Sequence, residues 1–185
     1  MNISISRIFP LSDDEISRAY SGDANVQYYV AQAYDQGTRT PRDLAAAANW
    51  YERSAVQGLH FAQYRFAEMC YYGEGVRVDK GLAAKWFERA AYSGNAKACT
   101  AIGEMYRTGD GVVRDLATAV LWLTRAAASS DSDGQYILGW MHEGGAGVTR
   151  NVPKAIELYY LAAEDGQEDA AKRLLDLGLP PADTS

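Results

Sequence analysis

The stretch Gly109-Asp110-Gly111-Val112-Val113-Arg114-Asp115 carries the residue types of a phosphate-binding turn. Two glycines one residue apart let backbone N–H groups approach an anion, and an acid follows. A dinucleotide site also needs a strand before the glycines and a helix directly after them. Here the phrase recurs instead. Gly73-Glu74-Gly75-Val76 with Asp79 and Gly145-Ala146-Gly147-Val148 with Asn151 repeat it, and Gly37-Thr38-Arg39-Thr40 with Asp43 is a degraded copy. The copies start at 37, 73, 109 and 145, a constant step of 36. A phrase at a fixed step is architecture before it is chemistry, so these residues are expected to form turns between helices.

The other reactive residue types lack the spacing that chemistry needs. His60 and His142 have neither a histidine at i±4 nor a cysteine pair at zinc spacing, so no metal site is expected. Cys70 and Cys99 are expected as reduced thiols, Cys70 in the core, with no disulfide. Neither a nucleophile elbow nor a His-Glu-x-x-His run occurs. Glu68, Glu104 and Glu143 belong to repeat surfaces, with no shared cleft for acid–base work. The expectation is a non-enzyme without cofactor or metal.

The net charge of −6 argues against a nucleic-acid surface and against binding to anionic membranes, and favours a basic partner. No apolar run is long enough to span a membrane. The N-terminus lacks the apolar core of a secretion signal, so a cytoplasmic location is expected.

The step of 36 aligns further positions: Ala47, Ala83, Ala119 and Ala155; Trp50, Trp86, Trp122 and Leu158; Ala55, Ala91, Ala127 and Ala163; Gly58, Gly94, Ser130 and Gly166. Each repeat reads as two helices. In the third, Ala98, Ile102 and Met105 share one helical face, Gly109 ends that helix, and Asp115 is an N-cap residue before the second. Four repeats are expected over 23–58, 59–94, 95–130 and 131–166. Residues 1–22 are read as a tail and a short capping helix opened by the Ser12–Glu15 capping box, 167–178 as a C-terminal capping helix, and 179–185 as a polar tail.

The runs from Ala101 to Ala127 and from Phe66 to Gly94 resemble the Sel-one-like repeat family, a relative of the tetratricopeptide repeats. The resemblance covers about residues 22–178. It implies an all-α, right-handed α-solenoid of about ten helices, held by the anchors Trp50, Trp86, Trp122, Gly73, Gly75, Gly109, Gly111, Gly145 and Gly147. Departures are local. Arg39 and Thr40 replace the second glycine and the valine, so the first turn should differ. His142 takes a tyrosine position as a half-buried ring with a hydrogen-bonded nitrogen. Ser130 replaces glycine, leaving 128–134 prone to fray.

The resemblance further implies an adaptor or scaffold that binds a protein or peptide in a concave groove lined by the first helices. The candidate contacts are Tyr28, Gln32, Phe61, Tyr64, Arg65, Glu68, Tyr72, Arg107, Tyr136 and Trp140, a set rich in the types that anchor interfaces. Tyr28, Tyr64 and Tyr136 equally suit packing between helices. An inhibitor or immunity-type protein that blocks a toxin or enzyme is the alternative reading. Self-association through open repeat ends or the aromatic residues also fits.

Overall fold

The computed structural model describes residues 10–180. The first nine residues of the expected N-terminal tail, and all but the start of the polar tail, lie outside this range. The described residues form ten helices and no strand: α1 (Asp13–Tyr20), α2 (Ala24–Gln36), α3 (Leu44–Val56), α4 (His60–Tyr72), α5 (Lys80–Tyr92), α6 (Ala96–Thr108), α7 (Leu116–Ala128), α8 (Ser132–Gly144), α9 (Val152–Glu164) and α10 (Glu168–Asp176). They make an all-α solenoid of repeated helix–turn–helix units. Two compact units divide at Ser93 and Gly94. The first holds α1 and the pairs α2/α3 and α4/α5; the second holds α6/α7, α8/α9 and α10.

Local chemistry sets the helix boundaries. Asp43, Asp79, Asp115 and Asn151 each cap the second helix of a pair by accepting from a backbone N–H two or three residues on. Gly37, Gly73, Gly109 and Gly145 end the first helices in the left-handed conformation. The cap residues also close the turns: the Asp43, Asp79, Asp115 and Asn151 N–H groups donate to the Tyr34, Cys70, Tyr106 and His142 carbonyls at 2.9–3.0 Å. An arginine completes three of the four turns. Arg42, Arg114 and Arg150 donate through Nε to the Asp35, Arg107 and Glu143 carbonyls, which the helix end leaves without a partner. Val78 holds that place in the second repeat.

The second glycine of the phrase has a different task. Gly75 has φ +71°, and a Cβ there would overlap the Leu44 carbonyl at the start of α3. Gly147 stands against Leu116 at the start of α7 in the same way. The turn of one repeat thus lies on the backbone that opens the second helix of the preceding repeat. In the first turn the preceding helix is the short α1. Arg39 sits there without the left-handed conformation and donates to Glu15 at 2.6 and 2.8 Å and to the Pro10 carbonyl. The side chain takes the place of a backbone contact. That pairing, with the Ser12 N–H, holds the Glu15 carboxyl down at about 2.

Ala47, Ala83, Ala119 and Ala155 are fully buried, as are the second-helix rings Trp50, Trp86 and Trp122 and their counterpart Leu158 to within a few per cent. A guanidinium one turn on lies over each ring: Arg53, Arg89 and Arg125 at 4.4–4.8 Å from the centroids. Ser130 does not fray its turn. It adopts φ 56°, and Asp131 caps α8 at Gly134 while accepting from Thr100 Oγ1 at 2.6 Å. The two capping helices are each tied by an ion pair, α1 through Glu15–Arg39 and α10 through Glu143–Arg173.

Trp86→Ala should cost roughly 3–5 kcal/mol in chemical denaturation, and Trp140→Ala much less, because the first ring is 6% exposed and the second 46%. Gly75→Ala should cost roughly 3 kcal/mol, combining left-handed strain with backbone overlap. Gly58→Ala, with positive φ but open space around it, should cost about 1 kcal/mol. Arg173 holds the Glu143 carboxyl below its ordinary 4.5. The stabilisation from this pair is therefore present above pH 4.5 and lost as the pH falls through the lowered native value. Arg173→Gln should cost about 1 kcal/mol at neutral pH, given a half-exposed guanidinium, and progressively less in acid.

Candidate interaction site

In the first unit the half-buried tyrosines of the first helices are packing residues. Tyr28 lies on Tyr51 with centroids 5.7 Å apart, and Tyr64 on Phe87 at 5.6 Å. Each ring therefore rests on the second helix of its own repeat, and Gln32 donates to the Tyr28 hydroxyl at 3.1 Å. Phe61 and Tyr72 remain exposed.

Arg65 is held by carboxylates. Its Nε and Nη2 donate to both Asp35 oxygens at 2.8 and 3.1 Å, Glu74 is ion-paired at 2.7 Å, and Glu68 lies at 3.5 Å. This raises the Arg65 pKa further, with the Asp35 hydrogen bond the largest cause. The Tyr51 hydroxyl also donates to Asp35, at 3.3 Å. Arg65 thus clamps α4 to α2. Three carboxylates around one guanidinium leave a surplus of negative charge beside Phe61 and Tyr72.

The second unit contains the same clamp, three steps of 36 further on. Arg173 donates to Glu143, through Nε at 3.0 Å, and the Tyr159 hydroxyl donates to Glu143 at 2.7 Å. Tyr136 packs on Tyr159 at 5.8 Å. Between α6 and α8 the clamp is broken. The acid's position holds Arg107 and the arginine's position holds Ile137. Arg107 turns to Glu104 at 2.5–2.7 Å and lies 5.2 Å from the Trp140 centroid. A cavity of about 300 Å³ opens there, lined by Glu104, Arg107, Tyr136, Ile137 and Trp140.

The second unit therefore brings three of the sequence candidates together: Arg107, Tyr136 and Trp140. In the first unit Phe61, Tyr72 and the carboxylates offer surface, whereas Tyr28, Tyr64 and Arg65 are committed to packing and pairing. Ile137 and Asp35 were absent from the candidates. The signal for both was the register itself, in which an acid late in one first helix pairs with an arginine 30 residues on, in the helix that opens the following repeat.

The remaining reactive groups are quiet. Burial pushes the Cys70 thiol up to about 11 and raises Cys99 too, so neither is a ready thiolate. His60 and His142 have buried Nδ1 atoms without a hydrogen-bond partner; for His142 this departs from the expected hydrogen-bonded ring. Among the described residues no group of three or more His, Cys, Asp or Glu could hold a metal ion, and no helix is long and apolar enough to cross a membrane.

The comparisons with known proteins agree with this repeat. The Sel1 repeat matches residues 24–59, 60–95, 96–131 and 132–167. A protective antigen of uropathogenic Escherichia coli with an SLR fold is 34% identical, with a TM-score of 0.84 over 92% of this chain and 37% of its own. A Sel1 repeat protein from Oxalobacter formigenes is 26% identical, with a TM-score of 0.81 over 89% of this chain and 66% of its own. This chain thus spans about a third and just under two thirds of their lengths. An immunity protein from Pseudomonas aeruginosa, 21% identical over 85% of this chain and 58% of its own with a TM-score of 0.54, shares the fold. No curated protein matches the sequence. With four consecutive matches over most of its length, the chain belongs to the Sel1 repeat family.

Proposed function

We propose that this chain is a non-catalytic protein-interaction module that grips its partner on the first helices of its repeats. Repeats of this family generally mediate contacts between proteins. The observation that carries the reading here is the broken clamp between α6 and α8. A half-exposed Trp140 under the Arg107 guanidinium borders a cavity of about 300 Å³ with an apolar wall at Ile137. That volume suits one large side chain of a partner, and rings and arginines are the residue types that dominate interface energetics. In the first unit, Asp35, Glu68 and Glu74 outnumber Arg65 beside exposed Phe61 and Tyr72. That surface favours a partner with basic and apolar side chains. A toxin or enzyme blocked by this surface is one such partner; the likeness to the immunity protein is one of fold, so the broader reading stands.

A capture experiment with tagged protein and mass spectrometry tests this. The partner bound by wild type should be lost with Trp140→Ala, whose cost to binding should reach about 2 kcal/mol. Glu68→Gln should slow association and flatten its salt dependence. A partner held equally by wild type and Trp140→Ala would remove the cavity from the interface.

A further inference from the structure

The chemistry of the cavity between α6 and α8 narrows what can occupy it, given that the cavity belongs to the interface. Its lining holds one carboxylate and one guanidinium, and these are already paired: Arg107 donates to Glu104 through Nε at 2.7 Å and through Nη2 at 2.5 Å. Each Glu104 oxygen thereby accepts one bond and keeps a lone pair for another. Arg107 Nη1, the Tyr136 hydroxyl and the Trp140 indole N–H have no partner among the described residues. In the first unit the matching hydroxyl, that of Tyr28, accepts from Gln32 one turn on; in α8 Trp140 holds that place, and Tyr136 lacks the bond. The rest of the wall is apolar, formed by Ile137 and the Trp140 ring.

The intact clamps show what completes such a pair. In both, a phenol joins the carboxylate and the guanidinium: Tyr51 donates to Asp35 beside Arg65, and Tyr159 donates to Glu143 beside Arg173. Two steps of 36 lead from Tyr51 to Leu123, and one more to Tyr159. The junction of α6 with α8 therefore has a carboxylate and a guanidinium, but an aliphatic residue in the phenol's place. Charge separates the other possible occupants. A lysine or arginine would be driven against Arg107. A carboxylate would face Glu104, in a unit whose residues 94–185 hold thirteen acidic and eight basic side chains. A phenylalanine would strip water from Glu104, Arg107 and the Tyr136 hydroxyl and return no hydrogen bond. A phenol is neutral, both donates and accepts, and brings a ring to the apolar wall.

We infer that this cavity is a socket for a tyrosine side chain of the partner protein. The ring lies against Ile137 and Trp140, and the hydroxyl donates to Glu104 and accepts from Arg107 Nη1. The partner thus supplies the third group of a clamp that the chain completes by itself at Asp35–Arg65–Tyr51 and at Glu143–Arg173–Tyr159. The inference rests on the proposed role of the cavity in binding and adds the identity of the anchor.

Trp140 supplies the readout, because its ring is 46% exposed and those of Trp50, Trp86 and Trp122 only 5–7%. Its indole N–H resonance, identified in a proton–nitrogen correlation spectrum of the full chain by its loss in Trp140→Phe, is followed during titration with blocked peptides. Each peptide has the sequence Gly-Ser-X-Ser-Gly, with Tyr, Phe, Glu or Arg at X. The Tyr peptide should shift the resonance saturably and bind at least about tenfold more tightly than the Phe peptide, with the Glu and Arg peptides also weaker than Tyr. Glu104→Ala should bring the Tyr peptide down to the Phe level, and Glu104→Gln, which keeps an acceptor without the charge, should fall between. Circular dichroism checks that each variant folds, and the Gln variant carries the test if the Ala variant does not. The inference is overturned by equal binding of the Tyr and Phe peptides, by tightest binding of the Glu or Arg peptide, or by a Tyr preference that survives in the Glu104 variants. In those cases the cavity remains a binding site and only the tyrosine is wrong. A Trp140 resonance that no peptide moves would overturn both the tyrosine and the role of the cavity.

Discussion

Everything in this structure depends on how closely the turn of one repeat approaches the second helix of the repeat before it. The Gly75 and Gly147 backbones lie where any Cβ would overlap the Leu44 and Leu116 carbonyls. That contact fixes the spacing at which successive helix pairs stack, and no single pair can bury its apolar face alone. Small residues serve the same requirement between helices: a Cβ at Gly139 would come within 2.8 Å of the Tyr159 ring, and one at Gly103 within 2.8 Å of Leu123. Where the preceding helix is the short α1, the constraint is absent and Arg39 replaces the glycine.

Once the spacing is set, side chains on neighbouring first helices must meet, and their pairing decides what surface is left. An acid, an arginine and a tyrosine hydroxyl close the contact at Asp35–Arg65–Tyr51 and again at Glu143–Arg173–Tyr159. These clamps are polar, partly buried and fully partnered, which makes them structural. The corresponding pair Arg107 and Ile137 cannot form a clamp. The guanidinium finds Glu104 on its own helix and the Trp140 ring across the gap, and the space between becomes a cavity. The cavity is there because both members of the repeated ion pair are substituted, the acid by Arg107 and the arginine by Ile137.

Charge is sorted within the first unit by the same stacking. Carboxylates gather around Arg65 on the first helices, whereas on the second helices Arg53 and Arg89 lie against the Trp50 and Trp86 rings, each directly after a glutamate, Glu52 or Glu88.

The helices themselves were legible in the sequence, because their causes are local. Asp43, Asp79, Asp115 and Asn151 cap helices within three residues of themselves, the glycines at 37, 73, 109 and 145 end them, and the constant step of 36 shows that these signals belong to one repeating unit. The burial of Trp50, Trp86 and Trp122 followed from the same register. Which candidate side chains stay available was decided only by the tertiary structure. Tyr28 and Tyr64 are drawn onto rings of their own second helices, Arg65 is taken up by Asp35, 30 residues away, and Tyr136 rests on Tyr159 yet still lines the cavity beside Trp140. A side chain between stacked helices answers to the residue that the next repeat places opposite it. For Trp140 that neighbourhood includes Arg107 and Ile137, so its exposure depended on a contact that no local pattern contains.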